Sequence, residues 1–226
     1  MDNKEIVPVN QETLDLLLSK LLEVNDYLQT ELKLLFEKEK SKNVMFKLTS
    51  IHYSLINRTI ELNNGYITLF NCENYITAIS LLRLQVENCL RLFGFTIMDD
   101  MPKCLDHFID GIDYKKLTGN NGKNLYDSYL AKELDKKMPE YKFHDTYKKY
   151  CEIVHFSGFY QTLNNEFKYK ENGLSATLYL GGGNNMPHFD MLNKISYTSS
   201  LFDSSKIIYR LFKEYRKEME KVLEKY

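Results

Sequence analysis

Apolar positions recur along most of this chain with the spacing of amphipathic helices. A first helix is expected from Asn10, a good N-cap, to about Lys40, and a second over Val44–Phe70 with Gly65 inside it. A third is expected over Tyr75–Phe93, ended by Gly94. This third segment is apolar over most of its circumference, which is typical of the central helix of a bundle.

The first helix carries a heptad pattern. Leucines recur every seven residues, and a lone Asn25 occupies a position of the seam that is otherwise leucine. The repeating leucines are Leu14, Leu21, Leu28 and Leu35. Two interpretations are open: a helix pair across a dimer in which Asn25 fixes the register, or a long bundle helix packed inside its own domain.

The middle of the sequence predicts shorter helices separated by loops. Asp100-Met101-Pro102 opens a short helix that stops at Gly111, and Gly119–Gly122 is a loop. A helix is expected over Leu125–Lys136, and another begins at His144 or Asp145.

Beyond Tyr160 the period changes from helical to two. Alternating runs at 167–170 and 174–180 flank Asn172-Gly173, the strongest short signal for a β-hairpin. A last long helix is expected from about Phe189 to Lys225. The sequence therefore predicts a mainly α-helical bundle as one domain over residues 1–226, with a β-hairpin inserted at 166–181 before the C-terminal helix.

Composition excludes few functions. The chain has 226 residues, 43% hydrophobic and 27% charged, and a formal net charge of −1, so no global charge favours nucleic acid or membrane. Neither a signal-peptide pattern at the N-terminus nor an apolar run of about 20 residues is seen. No Cys-x-x-Cys pair occurs among the four cysteines. A cytoplasmic protein with free thiols and no membrane association is expected.

Two polar residues stand out in the third helix. Arg83 falls inside the apolar arc, and Glu87 lies one turn later, where the two can form a pair. One interpretation is a buried ion pair that ties the central helix to its neighbours. The other is an anion-binding arginine held in place by Glu87.

A second candidate group lies near the end of the segment 147–157. His155 precedes Ser157-Gly158, and Lys149, Tyr147 and Tyr150 crowd nearby. His155 is either an ordinary core or edge residue or a general acid or base. In the latter case Lys149 would stabilise developing charge on a phosphodiester and the tyrosines would help to bind it.

Metal and cofactor motifs are missing from the sequence. His188-Phe189-Asp190 and His144-Asp145 are the only weak ligand candidates, and no His-Glu-x-x-His or Cys/His cluster accompanies them. The glycines at 181–183 lack the Lys-Ser/Thr of a phosphate loop. We expect neither a metal nor a cofactor.

Two segments carry a family resemblance. The run Tyr75 to Glu87, with Leu81-Leu82-Arg83, and the later run Tyr150 to Ser157, with Val154-His155, resemble the domain of unknown function 5677 and, more distantly, HEPN-like and abortive-infection-like bundles. The resemblance implies a helical bundle, often dimeric, whose active members cleave RNA without metal. Those members carry an Arg four to six residues before a His, whereas here the nearest analogue is Lys149 before His155.

Three functional hypotheses follow. The first is a HEPN-like, metal-independent ribonuclease, toxin or effector in prokaryotic or phage defence, with His155 as acid or base and Lys149 and Arg83 as phosphate ligands. The second is a non-catalytic interaction or sensor module, in the form of a dimeric helical scaffold. The third is a small-molecule binder lined by tyrosines.

Overall fold

The computed structural model describes residues 8–155, 158, 162, 165–169, 176–180 and 189–225. Within that part the long helices are α1 (Gln11–Ser41), α2 (Lys47–Asn71), α3 (Tyr75–Phe95) and the C-terminal α7 (Met191–Leu223). Shorter helices lie between α3 and the strands: α4 (Met101–Ile109), α5 (Asp127–Lys137) and α6 (Phe143–Val154). The strands are β1 (Asn165–Tyr169) and β2 (Ala176–Leu180). The predicted mainly α-helical class is confirmed.

Side-chain caps fix where several helices begin. The Asn10 side chain accepts a hydrogen bond from the Thr13 amide at 2.9 Å, as expected of an N-cap. Asp100 caps α4 and Asp190 caps α7 in the same way, each three residues before the amide that donates. These polar residues just outside the apolar pattern therefore set the helix starts.

α3 is the central helix, as the sequence predicts. It contacts α2, α5, α6 and α7, and the apolar side chains Ile79, Val86 and Leu90 are fully buried. Its end differs from the expectation, because Gly94 lies inside the helix instead of terminating it. A Cβ at Gly94 would collide with the Tyr114 hydroxyl, which donates to the Arg91 carbonyl oxygen at 2.9 Å. Here glycine serves close packing and does not stop the helix.

The heptad stripe of α1 is buried within the chain. Leu21, Leu28 and Leu35 are 0% exposed, and α1 packs most extensively against α7. Asn25 is also buried, and its amide donates to Asn64 at 3.0 Å and accepts from Asn63 at 2.8 Å, both on α2. The interpretation of this stripe as a dimer seam is therefore wrong: these residues form a bundle helix inside one molecule.

Buried amides extend this polar contact across the core. Gln85 of α3 donates to Asn63 of α2 at 3.3 Å and to Ser205 of α7 at 2.9 Å. Asn88 donates to Gln85 at 3.2 Å and accepts from Arg58 at 2.6 Å. Each buried amide here has a hydrogen-bonded partner, so the network specifies how four helices align at little cost in solvation.

The predicted hairpin has its strands in place. β1 and β2 pair antiparallel, with Phe167 opposite Leu178. The turn at Asn172-Gly173 lies outside the described residues. The single-domain organisation over residues 1–226 stays a prediction.

Candidate functional site

Arg83 pairs with a carboxylate that is distant in the sequence. Its Nη2 atom lies 3.0 Å from Oδ2 of Asp127, the first residue of α5, and Arg91 Nη1 lies 2.7 Å from the other Asp127 oxygen. The expected pairing of Arg83 with Glu87 is wrong. Two arginines of α3 instead converge on Asp127 because α5 packs against α3.

Glu87 turns toward the next arginine along α3. Its Oε1 lies 3.2 Å from Arg91 Nη2, and its Oε2 lies 3.9 Å from Arg58 Nη2 of α2. The contacts connect five residues of alternating charge, which we call the arginine–carboxylate chain: Arg83, Asp127, Arg91, Glu87 and Arg58. The arginine–carboxylate chain contains two carboxylates and three guanidinium groups, so these five side chains carry one excess positive charge.

Burial changes along the arginine–carboxylate chain. The side chains of Asp127, Arg91 and Arg83 are 7%, 14% and 17% exposed, whereas that of Arg58 is 43% exposed. The buried end is thus a structural ion cluster, in line with the scaffold interpretation of Arg83. The excess charge lies with Arg58, at the end that solvent reaches.

α6 covers the buried end of the arginine–carboxylate chain. The Arg83 guanidinium lies 5.0 Å from the ring centre of Tyr147. Burial would lower the pKa of Arg83, but Cys151 and Asp127 more than offset that effect and raise it. Burial also raises the pKa of the Tyr147 hydroxyl. Tyr147 therefore holds Arg83 in place from the α6 side, as a neutral aromatic partner.

A cleft of about 670 Å³ opens at the Arg58 end, between α2, α3, α4 and the 3-10 turn Tyr114–Lys116. We call it the α2–α4 cleft. Its apolar walls are Ile51, Tyr53, Leu55, Phe95, Phe108 and Tyr114, and its polar groups are Ser50, Ser54, Arg58, Glu87, Asn88, Arg91 and Asp113. A cleft of this size that combines apolar and aromatic walls with convergent polar groups is typical of a small-molecule site.

Tyr114 joins the cleft to the ion cluster. Its ring centre lies 4.6 Å from the Arg91 guanidinium, and its ring contacts those of Phe95 and Phe108 edge to face. Burial raises the pKa of its hydroxyl, so the group stays a neutral donor to the Arg91 carbonyl. The cleft wall is therefore fixed by packing before any ligand arrives.

The predicted catalytic residues lie elsewhere on α6. Lys149 has its ammonium 4.8 Å from the ring centre of Tyr197 of α7, and desolvation lowers its pKa. His155 ends α6 in an extended conformation and is exposed, and none of the described side chains hydrogen-bonds to its ring. Of the two predicted phosphate ligands, Lys149 packs against Tyr197 of α7, whereas Arg83 packs against Tyr147 and Asp127.

Tyr150 is a core residue. It is 1% exposed, its ring centre lies 6.4 Å from that of Tyr197, and burial raises the pKa of its hydroxyl. The other predicted tyrosine, Tyr147, is only partly buried. Among the six site residues that the sequence predicts, Glu87 alone lines the α2–α4 cleft.

His52 of α2 is buried without a polar partner among the described residues. It is 1% exposed, and neither ring nitrogen has a hydrogen-bond partner among the described residues. Phe95, Phe212 and Tyr215 surround it edge to face, the last at 4.1 Å between ring centres. Burial lowers the pKa of His52 to about 3, so it is a neutral core residue at physiological pH.

No group of three or more His, Cys, Asp or Glu side chains that could hold a metal ion occurs within the described ranges. His188 of the weak His188-Phe189-Asp190 candidate lies outside them. The other candidate, His144-Asp145, lies in the first turn of α6. There the carboxylate of Asp135 accepts hydrogen bonds from the backbone amides of Phe143 and His144 and so caps the helix.

Comparisons of this chain with protein-family models, with curated proteins and with solved structures gave no significant match. Across the described helices, none combines the length and apolar character that crossing a bilayer requires.

Proposed function

We propose that this chain is a binding module for a small molecule, a planar compound with a carboxylate or another anionic group, which it holds in the α2–α4 cleft. The observation that carries the proposal is the position of Arg58: the exposed, excess cation of the arginine–carboxylate chain lies at the edge of an apolar, preformed cleft.

The geometry of Arg58 leaves room for an anion. Its Nη1 atom is held by Asn88 at 2.6 Å, and its Nη2 atom has only a long contact of 3.9 Å with Glu87. A guanidinium group has five N–H donors, so most of them are left for a ligand. A fork held on one side and open on the other suits two-point binding of a carboxylate or sulfonate.

The walls of the cleft set the rest of the ligand. Leu55, Phe95 and Phe108 offer apolar and aromatic surface opposite the charged rim, and Ser54 adds a hydroxyl beside Arg58. Apolar walls favour a ligand that buries a flat hydrocarbon or aromatic body, at about 25 cal/mol per Å² of apolar area removed from water. A ligand that is only an anion would use Arg58 but none of these walls.

An aromatic sulfonate can serve as probe. We expect 1-anilinonaphthalene-8-sulfonate to bind the folded protein at one saturable site and Arg58→Gln to weaken it about tenfold or more, since a hydrogen bond to a charged group contributes roughly 1.5–3 kcal/mol. Lys38→Gln, which removes an exposed cation of α1 outside the cleft, is the control. Equal affinity in the two variants would contradict the proposal.

A second candidate function rests on a different observation. Tyr147 and Cys151 lie one turn apart on α6, and His155 follows the end of that helix; Arg83 lies against the Tyr147 ring and interacts with Cys151. This arrangement supports the metal-independent ribonuclease that the HEPN resemblance implies, with His155 as the exposed acid or base and Arg83 as a buried cation on the same side of α6 as Tyr147 and Cys151. With this candidate go the other expectations of the resemblance: a homodimer in the prokaryotic cytoplasm, RNA as partner and a role in defence.

The ribonuclease candidate has its own test. In a buffer with EDTA, His155→Ala should abolish cleavage of a single-stranded RNA while the thermal midpoint stays within a few degrees, because the side chain is exposed. His107→Ala, on α4, controls for the loss of an imidazole. RNA cleavage that survives in His155→Ala, or a wild-type chain without activity, would contradict the ribonuclease candidate and leave His155 without a catalytic role.

A further inference from the structure

A second groove lies along α7, on the side that faces the 3-10 turn Pro139–Tyr141. Its volume is about 390 Å³. Four basic residues and two tyrosines line it, and we call it the α7 groove: Tyr141, Lys206, Tyr209, Arg210, Lys213 and Lys217. Neither candidate function uses these residues.

The cations form one stripe. Lys206, Arg210, Lys213 and Lys217 recur at spacings of three and four, so they share one face of α7 over about 16 Å at 1.5 Å per residue. Only one carboxylate, Glu214, lines the groove with them. Among its lining residues the α7 groove thus carries a clear excess of positive charge.

Internal carboxylates neutralise only part of the stripe. Arg210 lies 3.6 Å from Glu140 and 3.5 Å from Glu214, and Lys213 lies 3.7 Å from Glu31. Lys206 and Lys217 are both exposed and have no salt bridge within the part of the chain that the structure describes, although Lys206 interacts at longer range with the Asp203 carboxylate and its ammonium lies 5.1 Å from the Phe202 ring centre. These two ammonium groups lie at opposite ends of the stripe, with Arg210 between them.

The tyrosines add aromatic faces. Tyr209 lies beneath the Lys213 ammonium, which is 5.2 Å from its ring centre, and its hydroxyl accepts from that ammonium at 2.9 Å. Tyr141 is partly buried at the other wall, and desolvation raises its pKa, so its hydroxyl stays a neutral donor. An aromatic ring beside a row of cations suits a ligand that is charged at one end and planar at the other.

We infer that the α7 groove binds a small phosphorylated molecule, with an oligophosphate group along Lys206, Arg210 and Lys217 and a planar ring against Tyr141. The volume of the groove lies within the range of small-ligand sites. Arg210 gives forked hydrogen bonds to phosphate oxygens, and the lysines give point charges on either side of it. The site is independent of the α2–α4 cleft.

Titration calorimetry with inorganic triphosphate and with ATP, without added metal, tests the inference. Both should bind the wild-type chain, and Lys206→Gln with Lys217→Gln should weaken both at least tenfold. Since glutamine is close to lysine in helix propensity, the double variant should keep its fold, which its circular dichroism melt will check. Lys103→Gln with Lys115→Gln, at exposed lysines of α4 and the turn after it, removes the same charge elsewhere.

A second comparison tests the proposed contact between the ligand ring and Tyr141. ATP should bind more tightly than triphosphate, and Tyr141→Leu should reduce that advantage without weakening triphosphate. Equal weakening by the two double lysine variants would overturn the site, because it would show a general charge effect. Binding of a single-stranded oligonucleotide that depends on Lys206 and Lys217, without any binding of ATP, would overturn the small-ligand assignment in favour of nucleic acid.

Discussion

At the scale of single residues, the polar groups inside this protein differ in how they tolerate burial. Asn25, Asn63 and Gln85 have hydrogen-bonded partners, and Asp127 has two arginines. His52 has aromatic neighbours only. A neutral imidazole can be tolerated there, whereas a charged one would be strongly disfavoured. His52 should therefore dominate the response of this core to acid.

The pH dependence follows from the direction of the pKa shift. Burial lowers the pKa of His52 from 6.5 to about 3. Above pH 6.5 both states carry a neutral ring, so His52 does not make stability depend on pH. As the pH falls from about 6.5 toward about 3, only the unfolded chain binds the proton, and the free energy of unfolding drops by about 1.4 kcal/mol per unit.

Urea unfolding at pH 7 and pH 5 will measure this effect. The wild-type chain should lose about 2 kcal/mol more than His52→Phe between the two values, because phenylalanine keeps the edge-to-face contacts without a titrating group. His107→Phe is the control, since His107 is only partly buried on α4. A pH dependence that His52→Phe leaves unchanged would refute the assignment.

At the scale of the elements, periodicity predicted the helices well because packing of an amphipathic face is what stabilises them. Partners were harder to predict. The sequence marks Arg83 as a polar residue in an apolar arc, but its partner Asp127 begins a different helix, 44 residues along the chain. The sequence offers Glu87 as the nearer partner, and only the docking of α5 on α3 reveals the real one. The end of α3 was missed for a similar reason, because the contact of Gly94 with Tyr114 is tertiary.

The docking of α5 on α3 depends on Asp127. Asp127→Ala should destabilise the protein by roughly 3–5 kcal/mol, since it leaves two largely buried guanidinium groups without their shared carboxylate. Chemical denaturation will give the value.

Glu214→Ala provides the comparison for Asp127→Ala. Glu214 also contacts two cations, Lys137 and Arg210, but its side chain is 47% exposed, so its loss should cost no more than about 1 kcal/mol. Similar losses in the two variants would contradict the view that burial makes the Asp127 cluster structural.

At the scale of the whole molecule, assembly of the bundle separates the predicted site into parts. Arg83 becomes buried scaffold, Tyr150 enters the core, and His155 stays at an exposed helix end. Glu87 alone among them reaches the α2–α4 cleft. A cleft made by α2, α3, α4 and a 3-10 turn could not be foreseen from periodicity, because its walls come from segments that the sequence treats as independent.

The most direct test of the central claim is whether an aromatic anion occupies the α2–α4 cleft. The chain contains no tryptophan, so Phe108→Trp places a single fluorophore in the cleft wall. Saturating benzenesulfonate, or a larger non-fluorescent aromatic sulfonate if affinity requires it, should shield that tryptophan from quenching by acrylamide. It should leave a tryptophan at Tyr179→Trp, an exposed position of β2 that lines neither the cleft nor the α7 groove, as open to acrylamide as before. Addition of Arg58→Gln to Phe108→Trp should abolish the shielding at the same probe concentration. Quenching at Phe108→Trp that no aromatic sulfonate changes, or shielding that persists with Arg58→Gln, would contradict the account.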